Sequence, residues 1–236
     1  MAEYFAVHDF LMKEDQHPEG DRHTAASILV NPGTTPNLIV DAAIQWISQS
    51  SGARMSIMWY TPGSLVPATL LEWKKKSPHL RSAAELFLFP GQVDPEVESV
   101  QGPDALDFAK RLQQGTHFTC SFLSAYAFDL SSGSAYFHYP NELDMQRECA
   151  KLRATKKFLF IDDTKLKAEG LFGYSVRDLL DTSQAVIIYT TCPPRSPIVG
   201  PLMRSSISLG GSSLHYWTFR RRLLPTLRHC DSSLFL

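Results

Sequence analysis

The stretch from Ala26 to Val40 constrains the fold more than any other part of this sequence. Three apolar β-formers, Ile28–Val30, come first and predict a short strand. In the turn that follows, Gly33 can adopt backbone conformations that other residues avoid. Thr35 is a good helix N-cap, and Pro36 suits the first helical position. The stretch therefore predicts a strand, a tight turn and a capped helix, which is the basic unit of an α/β protein.

This turn has two interpretations. The first turn of a helix presents backbone N–H groups that have no partner inside the helix, and such groups can bind a phosphate or a carboxylate. The same residues are equally typical of an ordinary strand-to-helix connection with a good cap. Gly33, Thr34 and Thr35 are the candidate anion-binding residues, and their spacing alone leaves both interpretations open.

The chain continues to alternate between strand patterns and helix patterns. Most of the apolar strand segments are followed by turn residues and then by apolar residues at helical spacing. The predicted strands are Ala26–Asn31, Met55–Tyr60, Leu86–Phe89, Phe118–Phe128, Lys157–Asp162 and Ala185–Tyr189. The predicted helices begin at about Pro36, Leu65, Asp104, Pro140 and Ser175. This alternation predicts an α/β, Rossmann-like fold with a mostly parallel sheet of about six strands and helices on both faces.

Size and composition favour a single cytoplasmic domain. The chain has 236 residues, of which 44% are hydrophobic, and this is enough for a sizeable core. It contains no apolar run of about 18 residues, and its first 25 residues are too acidic for a signal peptide. Its four cysteines are widely spaced and form no CxxC pair, which is typical of reduced thiols. We therefore expect no membrane association, no metal ion and no cofactor.

Residues 192–236 differ from the rest of the chain in pattern and charge. They contain clusters of Pro, Gly and Ser, no sustained hydrophobic period, and six arginines against a single acid, Asp231. Since the net charge of the whole chain is −1, the preceding residues are acidic overall, which disfavours binding to DNA. We expect an N-terminal segment at 1–25, an α/β domain at 26–191 and an irregular, poorly ordered tail at 192–236. One alternative inside the tail is a basic helix at Trp217–Leu227.

Polar residues follow the fifth predicted strand and open the long predicted helix. Asp162 and Lys165 lie directly after the strand, where a lysine beside carboxylates can hold a phosphosugar oxygen or take part in proton transfer. A solvated turn with a local salt bridge explains the same residues without a ligand. Glu142 is either a carboxylate that faces a pocket or an acid favoured by the helix dipole. His117 and His138 lack a second His or Cys at metal-ligand spacing, and no nucleophile elbow or P-loop lysine occurs.

Six segments of the chain follow one another in an order that is found in a known family. The segments are ILVNPGTT, YTPGSLVPATLL, ELFLFPGQVDPEVESVQGPDA, FTCSFLSAYAFDLSSG, NELDMQRECAKLRATKKFLFIDDTK and DLLDTSQAVIIYT. Together they resemble the C-terminal sugar-sensing domain of DeoR-type bacterial transcriptional regulators, over about residues 20–190. That domain is similar in fold to ribose-5-phosphate isomerase and to the glucosamine-phosphate deaminase and CoA-transferase group. The resemblance implies a pocket for a phosphorylated sugar or a related small anion.

The resemblance also implies which residues line this pocket. The family's phosphate-binding Gly-Thr-Thr turn falls on Gly33–Thr35, and its later Asp-Ser-Ser-Lys turn matches Asp162 and Lys165. The implied ligand-binding residues are Asn31, Gly33, Thr34, Thr35, Thr61, Ser64, Glu142, Asp162 and Lys165. Asn31 stands where the family usually has an acid, and Tyr126 replaces a small segment and is expected to narrow the pocket.

The resemblance implies a sensor that recognises a phosphosugar and regulates another molecule. The family's N-terminal winged-helix domain has no counterpart in this sequence, so we expect action through a protein partner or a homo-oligomer rather than direct DNA binding. One alternative is an aldose–ketose isomerase-like enzyme that uses a carboxylate as base and Lys165 to stabilise the oxyanion. Another is a non-binding interaction protein that retains the fold. Of these functions, a non-enzymatic one is favoured.

Overall fold

The computed structural model describes residues 26–49, 56–77, 84–129, 131–167, 169–190, 207–209 and 212–218. Its strands are β1 (Ala26–Val30), β2 (Ile57–Thr61), β3 (Ala84–Leu88), β4 (Gln92–Asp94), β5 (Ser99–Gln101), β6 (Phe118–Ser124), β7 (Ala127–Asp129), β8 (Ser134–Phe137), β9 (Ala154–Ile161), β10 (Leu171–Ser175), β11 (Ser183–Thr190), β12 (Ile207–Leu209) and β13 (Ser212–Thr218). Its helices are α1 (Thr34–Gln49), α2 (Leu65–Lys76), α3 (Pro103–Gly115), α4 (Pro140–Lys151) and α5 (Val176–Leu180). None of these helices is both long enough and apolar enough to cross a membrane.

The main sheet has eight strands in the order β12-β13-β11-β9-β6-β1-β2-β3. Every neighbouring pair is parallel except β12 and β13, which are antiparallel. Two smaller antiparallel sheets have the order β10-β8-β7 and the pair β4-β5. The six strands predicted from the sequence correspond to β1, β2, β3, β6, β9 and β11, which are contiguous in the main sheet. The predicted α/β fold with a mostly parallel sheet is confirmed.

Strand β1 shows why this sheet has helices on both faces. Ile28 and Val30 belong to a core cluster that includes Ile44 of α1 and Val66 of α2. Leu29, between them, belongs to a second cluster with residues of α3 and α4. Because successive side chains of a strand point to opposite faces, the consecutive apolar residues Ile28–Val30 must be covered on both sides of the sheet.

One predicted strand is divided in two. The sequence predicts a continuous strand at Phe118–Phe128, whereas β6 ends at Ser124 and β7 begins at Ala127. Between them, the backbone N–H of Tyr126 donates to the carbonyl of Tyr136 at 3.0 Å. The chain therefore leaves the main sheet here and pairs with β8. The segment is mostly apolar on both sides of this break, so its composition did not indicate the change of partner.

Two strands lie inside the segment 192–236, for which the sequence indicates irregular structure. Strand β13 pairs in parallel with β11, and β12 pairs with β13, so the main sheet is extended at this end. The last residues of β13 also occupy the start of the alternative basic helix Trp217–Leu227. The open side of β11 supplies backbone partners that a hydrophobic period cannot reveal. The rest of 191–236 and the N-terminal segment 1–25 lie outside the described residues.

A lysine is buried within the main sheet. Lys157 of β9 is 0% exposed, and its Nζ donates to the carbonyl of Ala150 at 2.5 Å and to the hydroxyl of Thr182. Burial lowers the pKa of Lys157 from its ordinary value of 10.5 to about 7. Ala150 lies near the end of α4 and Thr182 follows α5, so this amine ties the ends of both helices to the sheet.

The substitution Lys157→Met should make the free energy of unfolding less dependent on pH. Between pH 7 and 10.5 the unfolded chain binds a proton that folded Lys157 does not, so this residue makes stability rise with pH across that interval. Methionine keeps the apolar stem, and the Ala150 carbonyl keeps its hydrogen bond from the Thr182 hydroxyl at 3.1 Å. Urea unfolding should show a gain of about 1–4 kcal/mol at about pH 6, where the buried charge is removed, and a smaller gain at about pH 10.

The neighbouring Lys156, which is only half-buried, supplies the matched control. Lys156→Met should leave the slope of stability against pH close to that of the unmodified chain. An equal loss of stability at both pH values for Lys157→Met would contradict the assignment of a destabilising buried amine.

Candidate functional site

The turn after β1 places a glycine at the start of α1. The helix begins at Thr34, one residue before the expected N-cap Thr35. The carbonyl of Gly33 accepts the hydrogen bond of the Asn37 N–H at 3.2 Å, which is the bond that an N-cap residue accepts. Gly33 has a φ of 130°, a conformation that side chains disfavour. The expected cap is therefore shifted by two residues, because the chain must turn sharply enough to leave the sheet.

This geometry leaves two backbone donors at the start of the helix. Thr34 and Thr35 lie in the first turn, where N–H groups have no partner inside the helix. Pro36 follows them, and its missing N–H has no energetic cost in this turn. Thr34 is exposed, so this end of α1 is accessible to an anion. The first turn of α1 thus presents accessible backbone N–H groups, and anion binding at Gly33–Thr35 stays a prediction.

A buried amide connects this turn to α4. Asn31 is 0% exposed, and its Nδ2 donates to Oε1 of Gln146. Its Oδ1 accepts no hydrogen bond from any described residue. Gln146 lies one helical turn after Glu142, so the two side chains share a face of α4. The contact therefore brings the face of α4 that carries Glu142 toward the end of β1.

Glu142 is partly buried near the start of α4. Burial raises the pKa of its carboxyl above the ordinary value, although hydrogen bonds from the backbone N–H groups of His138 and Tyr139 act in the opposite direction. The positive charge of Lys165 also lowers this pKa. The charge of Lys165 thus acts on the Glu142 carboxyl, although the two residues lie on separate elements.

In the turn after β9, Lys165 forms a local ion pair and also acts electrostatically on Glu142. Lys165 Nζ lies 3.6 Å from Asp162 Oδ2, and both side chains are partly exposed. Asp162 Oδ1 accepts from the backbone N–H of Thr164 at 3.0 Å and from its hydroxyl. The salt-bridged turn that the sequence allows is therefore present. Lys165 nevertheless acts electrostatically on Glu142 of α4, and we call these two residues the Glu142–Lys165 cluster.

Two predicted site residues are engaged in hydrogen bonds within the protein. The buried hydroxyl of Thr61 donates to the carbonyl of Val30 at 2.7 Å and accepts from the N–H of Gly63 at 2.8 Å. The hydroxyl of Ser64 donates to the carbonyl of Glu98 at 3.0 Å. These bonds hold the loop after β2 against β1 and against the segment before β5. The structure therefore gives Thr61 and Ser64 structural contacts, apart from the Glu142–Lys165 cluster.

Several residues near the Gly33 turn and the turn after β9 were not predicted as binding residues from the sequence. Ser124, at the end of β6, donates from its hydroxyl to the carbonyl of Pro32 at 2.7 Å. The ring of Tyr126 lies 5.0 Å from the ring of His138, and Lys167 Nζ lies 4.7 Å from the Tyr126 centroid. Lys167 lies two positions after Lys165, and this proximity in the sequence was the one sign that Lys167 belongs near the candidate site. Among the residues that the structure describes, no cluster of His, Cys, Asp and Glu is suited to a metal ion.

A cavity of about 570 Å³ lies between the β4–β5 hairpin and the starts of α3 and α4. Three carboxylates line it, those of Asp94, Glu96 and Asp144, together with Asn141 of α4. The buried Gln101 also lines it, and its Nε2 has no hydrogen-bond partner among the described residues. None of the nine predicted site residues lines this cavity. The predicted set and the cavity are thus different places, although α4 contributes to both.

No protein-family model matches the sequence, and no curated protein matches it. Among solved structures, the chain is similar to the crystal structure of the devB protein, with 11% sequence identity and a TM-score of 0.45. The similarity covers 92% of this chain and 91% of that chain.

Substitution of Gly33 tests the strained turn directly. A methyl group at this position would meet the hydroxyl oxygen of Ser124 at 3.0 Å, and a φ of 130° disfavours any side chain. We expect Gly33→Ala to lower the free energy of unfolding by about 1–3 kcal/mol in urea titrations. Gly115→Ala is the matched control, because a methyl group there meets no atom within 4 Å. Equal stability changes in the two variants would contradict the described turn.

Proposed function

We propose that the α/β domain binds a phosphorylated sugar or a related small anion and acts as a sensor of the DeoR-like type. The observation that carries this proposal is the arrangement at the carboxyl edge of the sheet. There, the accessible first turn of α1 follows β1, and Lys165 follows β9, two strands away in the sheet. Glu142, on which Lys165 acts electrostatically, opens α4, the helix that connects β6 to β9. Backbone N–H groups and a lysine suit phosphate and sugar oxygens, while carboxylates suit sugar hydroxyls.

The residues of the proposed ligand site have distinct roles. The N–H groups of Thr34 and Thr35 donate to phosphate oxygens. Glu142 and Asp162 accept hydrogen bonds from sugar hydroxyls, and Lys165 donates to a ring or carbonyl oxygen. Asn31, which replaces the usual acid, offers an oxygen that has no partner among the described residues. Because an amide recognises different donors from a carboxylate, we expect phosphate recognition to resemble the family more closely than sugar selectivity does.

The proposed sensor acts through a protein partner in the cytoplasm. The residues before the tail are acidic overall, and negative charge disfavours contact with the DNA backbone. Ligand binding is therefore proposed to alter the contact of this domain with another protein, rather than to act on DNA directly. This regulatory role rests on the resemblance to the sensor domains. It requires ligand binding, which the experiments below test.

Thermal unfolding in the presence of phosphosugars tests the proposed site. A ligand that binds only the folded chain stabilises it by about 2.7 kcal/mol at 100 times its Kd. For a chain of this size, that corresponds to a rise in Tm of about 5–10 °C. Ribose 5-phosphate and other phosphosugars at millimolar concentration are the probes, with ribose and inorganic phosphate alone as comparisons. No rise with any phosphosugar would contradict the proposal, and an equal rise with inorganic phosphate would remove the sugar from it.

Two matched lysine variants locate the effect. Lys165→Met removes a cation 3.6 Å from Asp162, and Lys110→Met removes one 3.7 Å from Asp107, in the same i, i+3 arrangement. We expect the ligand-induced rise in Tm to be greatly reduced in the first variant and unchanged in the second. A rise that survives in both variants would place the ligand elsewhere on the chain.

A second candidate function is sugar-phosphate isomerisation. It is favoured by one observation: burial raises the pKa of Glu142, and Lys165 lies within its electrostatic reach. A carboxylate whose pKa approaches the working pH is a better general base, and a nearby cation stabilises the enediolate oxygen that proton transfer creates. The carboxylate of Glu142 would take the proton from the hydroxyl-bearing carbon beside the carbonyl and return it to the former carbonyl carbon. The hydroxyl proton of the first carbon would move to the former carbonyl oxygen, so that the first carbon becomes the new carbonyl.

An assay of ribose 5-phosphate isomerisation separates the enzyme from the sensor. If the chain is an isomerase, Glu142→Gln should lower kcat by about 10²–10⁴-fold. In the unmodified chain, kcat should rise with pH through a value above 4.5, the ordinary pKa of a glutamate, because only the ionised base accepts the proton. Glu148→Gln, on the same helix, is the control and should retain activity. Absence of turnover in the unmodified chain would leave only the sensor proposal.

A further inference from the structure

The outer edge of β3 has no partner in the described part of the chain. This strand ends the main sheet, and β2 pairs with its inner side. The register between the two strands runs without interruption from Ala84 to Leu88. The sequence AELFL contains no proline and no lysine, and the pairing contains no bulge. Proline, lysine and bulges are the usual means by which proteins prevent an edge strand from pairing with another chain.

One hydrogen bond at the end of β3 shows which backbone groups are free. The N–H of Phe89 donates to the carbonyl of Thr61 in β2 at 3.0 Å. In a strand, the N–H and C=O groups of one residue point to the same side, and successive residues alternate between the two sides. Residues at odd positions therefore bond to β2. The residues that present both backbone groups to the outer side are Ala84, Leu86 and Leu88.

The side chains of this strand form an apolar edge with a single charge. Phe87 is 37% exposed and Leu88 is 44% exposed. The ring of Phe87 stacks on Tyr60 with centroids 4.6 Å apart, so Phe87 is held in a fixed position. Leu86 is half-buried and packs against the core cluster of α1 and α2. Glu85 is the one charged residue of the strand.

We propose that β3 pairs in antiparallel fashion with β3 of a second copy of this chain, about a two-fold axis at Leu86. In this register Leu86 lies opposite Leu86 of the second copy, and Ala84 lies opposite Leu88. All three are outward-facing residues, and opposed residues of this type exchange both of their backbone hydrogen bonds. Every free N–H and C=O group of the strand thus gains a partner. This interaction surface is separate from the proposed ligand site and does not depend on the proposed function.

Charge selects this register over a neighbouring one. An axis at Glu85 would place two carboxylates directly opposite each other, which is destabilising. With the axis at Leu86, Glu85 lies opposite Phe87 of the second copy, in a pair whose Cα atoms are about 4.5 Å apart. The same pairing covers the exposed face of Phe87. Since the strand has only five residues, we expect a dimer that dissociates on dilution.

Sedimentation of the full chain over a range of concentrations tests the proposal. The mass should rise from the 26.5 kDa of one chain to twice that value. Phe87→Glu places a new carboxylate opposite Glu85 twice in each dimer and should raise the midpoint concentration at least about fivefold. Phe87→Lys places an ammonium group there and should dimerise more tightly than Phe87→Glu. Both variants lose the stacking on Tyr60, so they are matched for fold stability, which circular dichroism and urea unfolding verify.

A charge reversal then tests the register itself. Adding Glu85→Lys to Phe87→Glu restores opposite charges across the axis and should return the midpoint close to that of Phe87→Lys. A chain that stays monomeric at all concentrations would overturn the proposal. So would a dimer that responds equally to both Phe87 variants, or one that Glu85→Lys does not restore.

Discussion

The parallel hydrogen-bond ladder from β11 to β3 is the constraint on which the rest of this structure depends. Because its strands run in the same direction, every connection must leave at one edge and return to the other through a helix. The carboxyl ends of β1, β6 and β9 are therefore neighbours, although they are far apart in the sequence. The Gly33 turn, Ser124 and the Asp162 turn meet there as a consequence of the ladder. The candidate site is a product of topology as much as of its residues.

Removing polar groups at this edge from water costs free energy, which hydrogen bonds within the protein offset for some of these groups and not for others. Thr61 and Ser64 satisfy their hydroxyl groups within the protein, and they stabilise the loops. Asn31 satisfies its nitrogen through Gln146 but leaves its oxygen without a partner among the described residues. A buried oxygen in that state destabilises the folded chain unless a donor reaches it. Such unsatisfied groups are characteristic of sites where binding, rather than stability, determines the residue.

The proposed dimer and the proposed ligand site are compatible in the same molecule. Strand β3 lies at one end of the sheet, whereas β9 and the Lys165 turn lie on the far side of β6. Antiparallel pairing through β3 continues the sheet but reverses its direction, so the carboxyl edges of the two copies face opposite ways. Each copy would then bind its ligand without contact from the other. Coupling between the sites would have to pass through the sheet or through a partner protein.

The sequence by itself determined the elements of the main sheet. Six strands and their helices follow from local information, because apolar periodicity, turn residues and capping residues act over a few neighbouring positions. The glycine turn was predicted for the same reason, although the helix begins two residues earlier than expected. The resemblance to sensor domains added a set of site residues. Among them, Lys165 acts electrostatically on Glu142, whereas Thr61 and Ser64 make hydrogen bonds within the protein.

Only the tertiary structure decided how distant segments pair. Asn31 and Gln146 are separated by 115 positions, and no local pattern links them. The division of β6 from β7 depends on which strand offers free backbone groups, and so does the addition of β13 to the sheet. Nothing in the sequence distinguishes Lys157 from an exposed lysine, yet the packing of the core buries it and lowers its pKa. Backbone pairing and burial are properties of the assembled core, so they lie beyond what residue patterns alone determine.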